Sequence, residues 1–161
     1  MKLLRWIALA LGALLSAGII AWLGARFHDG PLGPVPGGPM DGVIVTDAAV
    51  DWSFATDLQT LALQTSNPPR SRSVWLVVHE GALYVPAGSS VAEQWPHELA
   101  GDPVVLLRIE ERLYLRRAVR VGDPALRTLL WERVASKYGV VAPGDREPQW
   151  IFRMEPFDPH G

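Results

Sequence analysis

The sequence predicts a mainly antiparallel β domain with one or two covering helices, an α+β fold, set behind an N-terminal transmembrane helix. Three observations carry this: a long uncharged run at the N-terminus, a Gly/Pro-dense segment after it, and a series of short β-rich segments separated by turn residues. With 161 residues the chain suits one ordinary domain plus an appendage. Its 48% hydrophobic content can build a core, and 15 Lys+Arg against 17 Asp+Glu leave a net charge of −2, which supports neither wholesale disorder nor a nucleic-acid-binding composition. There is no cysteine, so disulfides, thiolate metal sites, cysteine-ligated clusters, thiol nucleophiles and a lipoprotein anchor are excluded.

Trp6 to Ala25 are twenty residues without a charge, and as a helix they would measure about 30 Å, the hydrocarbon thickness of a bilayer. Trp6 and Trp22 lie near the two ends, where indoles settle at membrane interfaces. Lys2 and Arg5 precede the run, so the positive-inside bias keeps the N-terminus cytoplasmic and places everything after Arg26 outside. A cleaved secretory signal begins in the same way, but cutting after Ala25 would put Leu23 at −3, where a small residue is needed. The uncleaved anchor is the favoured reading, and both readings export the rest.

Gly30 to Gly42 read GPLGPVPGGPMDG, nine of thirteen being Gly or Pro, so neither helix nor central strand persists there. The segment is a spacer or an ordered collar. Beyond it, Gly42–Val50, Leu58–Thr65, Ser73–His79, Leu83–Pro86, Val104–Ile109, Leu113–Val121 and Trp150–Met154 read as strands. Glu80-Gly81-Ala82 and Glu110-Glu111-Arg112 are hairpin turns and imply antiparallel neighbours. Ser73 to Val78 lacks alternation, which suits a strand covered on both faces. Leu113, Leu115, Val119 and Val121 alternate with Tyr114, Arg116 and Arg120, which puts the second set towards solvent or a ligand and Arg117 on the buried side.

Asp123-Pro124 is an N-cap with proline at the first helical position, and Leu126, Leu129, Leu130, Val134 and Tyr138 then fall on one stripe. Lys137 and Gly139 supply a basic last turn and a stop, so a helix is predicted over 124–138. A shorter helix, interrupted by Pro96, is predicted over about Val91 to Ala100.

The order of these elements resembles the FMN-binding split β-barrel superfamily, which includes pyridoxamine-phosphate-oxidase-like and deazaflavin-dependent nitroreductase-like proteins. The residues that carry the resemblance are Ser73 to Val85, Trp95-Pro96-His97-Glu98-Leu99-Ala100-Gly101-Asp102-Pro103-Val104-Val105 and Leu113-Tyr114-Leu115, within about Asp51 to Tyr138. The chain also resembles a membrane-anchored branch in which a Gly/Pro collar, here Gly30 to Gly38, precedes Trp52-Ser53-Phe54. The resemblance implies a six- or seven-stranded antiparallel split β-barrel over 43–161, following an anchor at 1–27 and a linker or collar at 28–42. It further implies a homodimer that holds FMN or a related flavin or deazaflavin in a groove between protomers. A phosphate needs Arg or Lys with hydroxyl or N–H donors, and a flavin ring needs a flat apolar bed. By position the implied cofactor residues are Arg72, Ser73 and Trp75, then Ser89 and Ser90, and Arg117. The Arg/Lys pattern of typical FMN-phosphate binding and the deazaflavin signature are both missing, so another planar ligand, or none, remains an alternative.

His79-Glu80 and His97-Glu98 lack the two-histidine helical spacing of a zinc hydrolase and lie beside turns, so no metal site is assigned; a ligand or redox role stays open for His79. Gly88-Ser89-Ser90-Val91 lacks the glycine pattern of a nucleophile elbow. Arg108, Arg112, Arg116, Arg117 and Arg120 form a basic run that reads as a solvated strand face, although lipid headgroups are a second reading. From Gly30 onward there are 12 Lys+Arg and 16 Asp+Glu, and export puts nucleic acid out of reach. The expected function is a single-pass, extracytoplasmic, periplasmic flavin-binding protein with an oxidoreductase or electron-transfer role, a quinone or membrane redox partner, and no assignable catalytic residue. The alternative is a non-enzymatic anchored binding or assembly module without a redox cofactor.

Overall fold

The uncharged N-terminal run forms helix α1 (Lys2–Ala25) in the computed structural model, which describes residues 2–45, 49–87, 94–142 and 150–157. Leu4–Ala25 has a mean hydropathy of 2.1 and is long and apolar enough to cross a membrane. Its described side chains are exposed up to Gly24, and only Ala25 is buried against the rest of the chain.

The sheet has eight strands, one more than the upper expectation: β1 (Ile44–Val45), β2 (Thr60–Ser66), β3 (Pro69–Trp75), β4 (Val77–His79), β5 (Ala82–Pro86), β6 (Val104–Ile109), β7 (Arg112–Arg120) and β8 (Ile151–Pro156). The extra strand arises because the segment expected as one strand, Ser73–His79, is two. The strand order is β3-β2-β6-β7-β8-β5-β4, all antiparallel, with β1 parallel to β7. The two ends of that path, β3 and β4, are separated in sequence only by Leu76. The sheet therefore rolls up, and the chain crosses the seam at Leu76 by leaving β2 and joining β5. This is a barrel split at one residue.

Helix α3 (Pro124–Tyr138) supplies what the seam lacks. Its last turn brings the Tyr138 hydroxyl to the Leu76 N–H (3.0 Å) and to the Leu76 and Gln59 carbonyls (2.8 and 2.7 Å). Lys137 Nζ donates to the carbonyls of Leu76 (3.1 Å), Leu58 (2.6 Å) and Thr56 (2.9 Å). Backbone groups that the split removes from the ladder are thus paired by side chains. Burial lowers the Lys137 pKa and raises that of Tyr138, since each loses water around its charged form. The helix has the expected limits: the Asp123 carboxylate accepts from the Ala125 N–H, and Gly139 ends it in the left-handed region. Its buried residues are Leu130, Trp131 and Val134, whereas Leu129 is partly in solvent.

Two apolar layers result. Leu63, Val74, Leu83, Val85, Leu107, Tyr114, Ala118, Phe152 and Met154 fill the barrel interior with Trp52 and Trp95. Val77, Tyr84, Val121 and Ile151 point outward under α3. The alternation expected for β7 is corrected here, because its inward face is Tyr114, Arg116 and Ala118, while Arg117 is exposed. Register decides this: Tyr114 lies opposite Leu107 and Arg116 opposite Val105, both interior residues of β6. Leu113 and Val121 are also buried, on the outer face, so hydrophobic alternation alone points to the wrong side. The Arg116 guanidinium lies 5.3 Å from the Trp52 ring centre and 5.6 Å from that of Tyr114, and donates to the Leu115 carbonyl (2.8 Å).

Other boundaries shift. Gly42–Val50 contributes only Ile44–Val45 among the described residues. The expected short helix is one turn, α2 (Trp95–Glu98), with 91–93 outside the described residues. Ser73–Val78 is not covered on both faces, since Ser73 and Trp75 are exposed. A hairpin joins β2 to β3 across Asn67-Pro68, where the prolines give no strand signal. Both predicted hairpins form, with Glu80, Gly81 and Glu110 at positive φ.

Candidate functional site

Strand β3 is the start of the site. On one side it pairs with β2; on the other, the Gly/Pro segment docks on it as a collar. Gly37 and Ser71 exchange backbone hydrogen bonds (2.9 and 3.3 Å), and the Ser71 hydroxyl donates to the Gly38 carbonyl (2.7 Å). The Gly38 N–H in turn bonds the His28 carbonyl (3.0 Å) just past α1. The glycines are required by contact: a Cβ at Gly37 would run into the Gly30 carbonyl, and one at Gly38 into that of Arg26. Arg108 holds the collar's two ends, bonding the Asp29 carboxylate and the Asp41 carbonyl (2.9 Å). That bond and the Asp41 N–H keep the Asp29 pKa below its ordinary value.

Between collar, β3 and α2 lies a cleft of about 490 Å³, a size typical of ligand sites. Arg70, Arg72, Ser73, Trp75, Trp95 and Glu98 are among its walls, with Pro34 and Pro36 of the collar. Arg70 and Arg72 share a face of β3 with the interior residue Val74. Arg72 Nη2 is 3.7 Å from Glu98 Oε2. The Ser73 hydroxyl donates to the Gly33 carbonyl (3.0 Å). Trp75 stacks on Tyr138 at 4.5 Å between ring centres, 9° from parallel, and remains 41% exposed. The cleft's walls thus include two arginines, a glutamate and two tryptophans.

The structure brings Arg72, Ser73 and Trp75 to this cleft. Arg117 stands elsewhere, on β7 between Val104 and Glu155, with its guanidinium 5.4 Å from the Phe157 ring centre. The expectation that it points to the buried side is overturned by the register described above. Ser89 and Ser90 lie outside the described residues. Sequence reading missed Arg70, whose spacing of two from Arg72 is a usable signal once β3 is known to begin at Pro69. It also missed Glu98 and the collar prolines, which only long-range docking brings near. The basic run divides: Arg108 ties the collar, Arg116 is buried, and Arg120 lies 4.9 Å from the Trp150 ring centre. His97 packs edge-on to Trp150 at 4.6 Å, and His79 is half-buried at the end of β4.

No family model and no curated protein matches the chain. Among solved structures, it is similar to a candidate pyridoxamine 5′-phosphate oxidase from Listeria innocua, with 19% identity over 62% of this chain and 85% of that one and a TM-score of 0.48. It is similar to a NimC/NimA family protein from Clostridium acetobutylicum, with 15% identity over 63% and 74% of the two chains and a TM-score of 0.47. It is likewise similar to an FAD-binding protein from Mesorhizobium loti, with 17% identity over 64% and 84% and a TM-score of 0.45.

Proposed function

We propose that this chain is a single-pass, membrane-anchored, extracytoplasmic member of the split-barrel superfamily that binds a flavin-type cofactor in the β3 cleft and serves in oxidoreduction or electron transfer. The observation that carries this reading is the meeting of Arg72, Ser73 and Trp75, joined by Arg70, on one cleft beside the collar. The Arg72 guanidinium suits a phosphate, and exposed indole suits a planar ring. A flavin bound there would supply the two-electron or one-electron chemistry; this chain's residues bind and orient it. The reading includes a homodimer, which would bring a second chain's surface to the groove, and a quinone or membrane redox partner, because tethering raises the effective concentration of membrane-soluble substrates.

A second reading, a non-enzymatic binding or assembly module, is favoured by the engagement of the same polar groups. Glu98 faces Arg72, and the Ser73 hydroxyl is already spent on the Gly33 carbonyl. The visible spectrum of the purified full chain separates the two. A flavin band near one per chain, or absorbance gained on adding FMN or a deazaflavin and lost in Arg72→Ala with the fold retained, supports the first. A colourless protein that takes up neither cofactor supports the second.

A further inference from the structure

The cleft has a neighbour. A groove of about 340 Å³ lies where α1 leaves its apolar run, walled by Trp22, Arg26 and Phe27 on one side and by Pro36, Pro68 and Arg70 on the other. Among the described residues, two arginines line it and no carboxylate does. Among the described residues neither arginine has a carboxylate within ion-pair distance, and Arg26 instead sits 5.3 Å from the Trp22 ring centre. Phe27 is 88% exposed. The groove's height relative to a bilayer follows from the chain. Arg26 is the first residue past the span, and each helical residue rises only about 1.5 Å, so its guanidinium reaches the layer of lipid phosphates just outside the hydrocarbon. Below it, Trp22 also lines an apolar depression on α1 formed by Leu15, Gly18 and Ile19, where the missing Gly18 side chain opens the surface. A cationic end and an apolar trough thus meet at Trp22.

We propose that this groove binds the headgroup of an anionic phospholipid, its phosphate held between Arg26 and Arg70 and an acyl chain lying in the α1 trough. Guanidinium groups bind phosphate through charge-assisted, often bidentate hydrogen bonds, and the β2–β3 hairpin that carries Arg70 is thereby fixed to the membrane surface. Because Arg70 and Pro36 line both the groove and the cleft, a seated lipid also fixes one wall of the cleft. The proposal rests on the membrane-anchored reading, which alkaline carbonate extraction of the full chain tests by itself, independently of any lipid affinity.

The test measures binding of dioctanoyl phosphatidylglycerol and dioctanoyl phosphatidylcholine to the purified full chain in a non-ionic detergent, by native mass spectrometry. The glycerol lipid should bind saturably and more tightly than the choline lipid. Arg26→Ala with Arg70→Ala should weaken it about twenty-five-fold, at about fivefold per arginine, while Arg112→Ala with Arg133→Ala, the same charge change on exposed residues away from the groove, should not. Gly18→Leu should weaken it with no change in charge. Equal loss in the two arginine pairs would mean attraction to net charge and would overturn the site. Displacement by inorganic phosphate at the same concentration, or no loss in Gly18→Leu, would mean a free-phosphate site and would overturn the lipid assignment.

Discussion

Removing one oxygen at the barrel seam gives the sharpest test of the fold. In Tyr138→Phe the ring stays stacked on Trp75, but the hydroxyl that pairs the Leu76 N–H is gone. Leu76 is fully buried, and Lys137 donates to its carbonyl but cannot accept from its N–H. One buried donor is therefore orphaned, which costs about 1–3 kcal/mol. For a domain of this size that lowers Tm by about 3–12 °C. Thr128→Val, whose hydroxyl bonds the Pro124 carbonyl on the exposed side of α3, serves as the comparison and should stay within about 0.5 kcal/mol of wild type. Thermal and urea melts followed by near-UV circular dichroism report both. If Tyr138→Phe and Thr128→Val melt alike, the seam is not held by Tyr138 and the account of Leu76 is wrong.

Other expected outcomes concern the helix cover, the collar and the span. Leu130→Asp places an unpaired carboxylate at a site with no exposure, and should cost at least about 3 kcal/mol; an unchanged denaturation midpoint contradicts the packing of α3. The Asp29 pKa is lowered chiefly by its bond to Arg108, so the ionised form is favoured by folding. Its contribution is present above the unfolded value near 3.8 and fades as pH falls through the lower folded value. Asp29→Asn should therefore flatten the loss of stability on that acid side, and titrations parallel to wild type would refute it. Ala13→Lys puts a charge mid-span and should move the protein out of the membrane fraction; normal recovery in membranes would count against the span.

Much of this architecture is legible one residue at a time. The limits of α3 follow from Asp123, Pro124 and Gly139, because caps and proline act through local backbone geometry. The two turns at Glu80-Gly81 and Glu110 follow for the same reason, and the apolar length of α1 needs only counting. Arg72, Ser73 and Trp75 could be picked out as a set by resemblance alone. What required the tertiary structure is everything decided by partners distant in sequence. The break at Leu76 exists because β2 and β5 each claim one side of it, and the side chains that make it tolerable come from Lys137 and Tyr138. The inward face of β7 was settled by register against β6, since its apolar residues occupy both faces and hydrophobicity could not choose between Arg116 and Arg117. The collar's docking on Ser71, and with it the walls of the cleft, arises from backbone hydrogen bonds of Gly37 and Gly38 and from the Ser71 hydroxyl, and composition alone does not say whether these groups bond each other or water. Periodicity reports how a strand or helix is wetted, whereas contact between segments depends on which edges are left to pair once the sheet has closed.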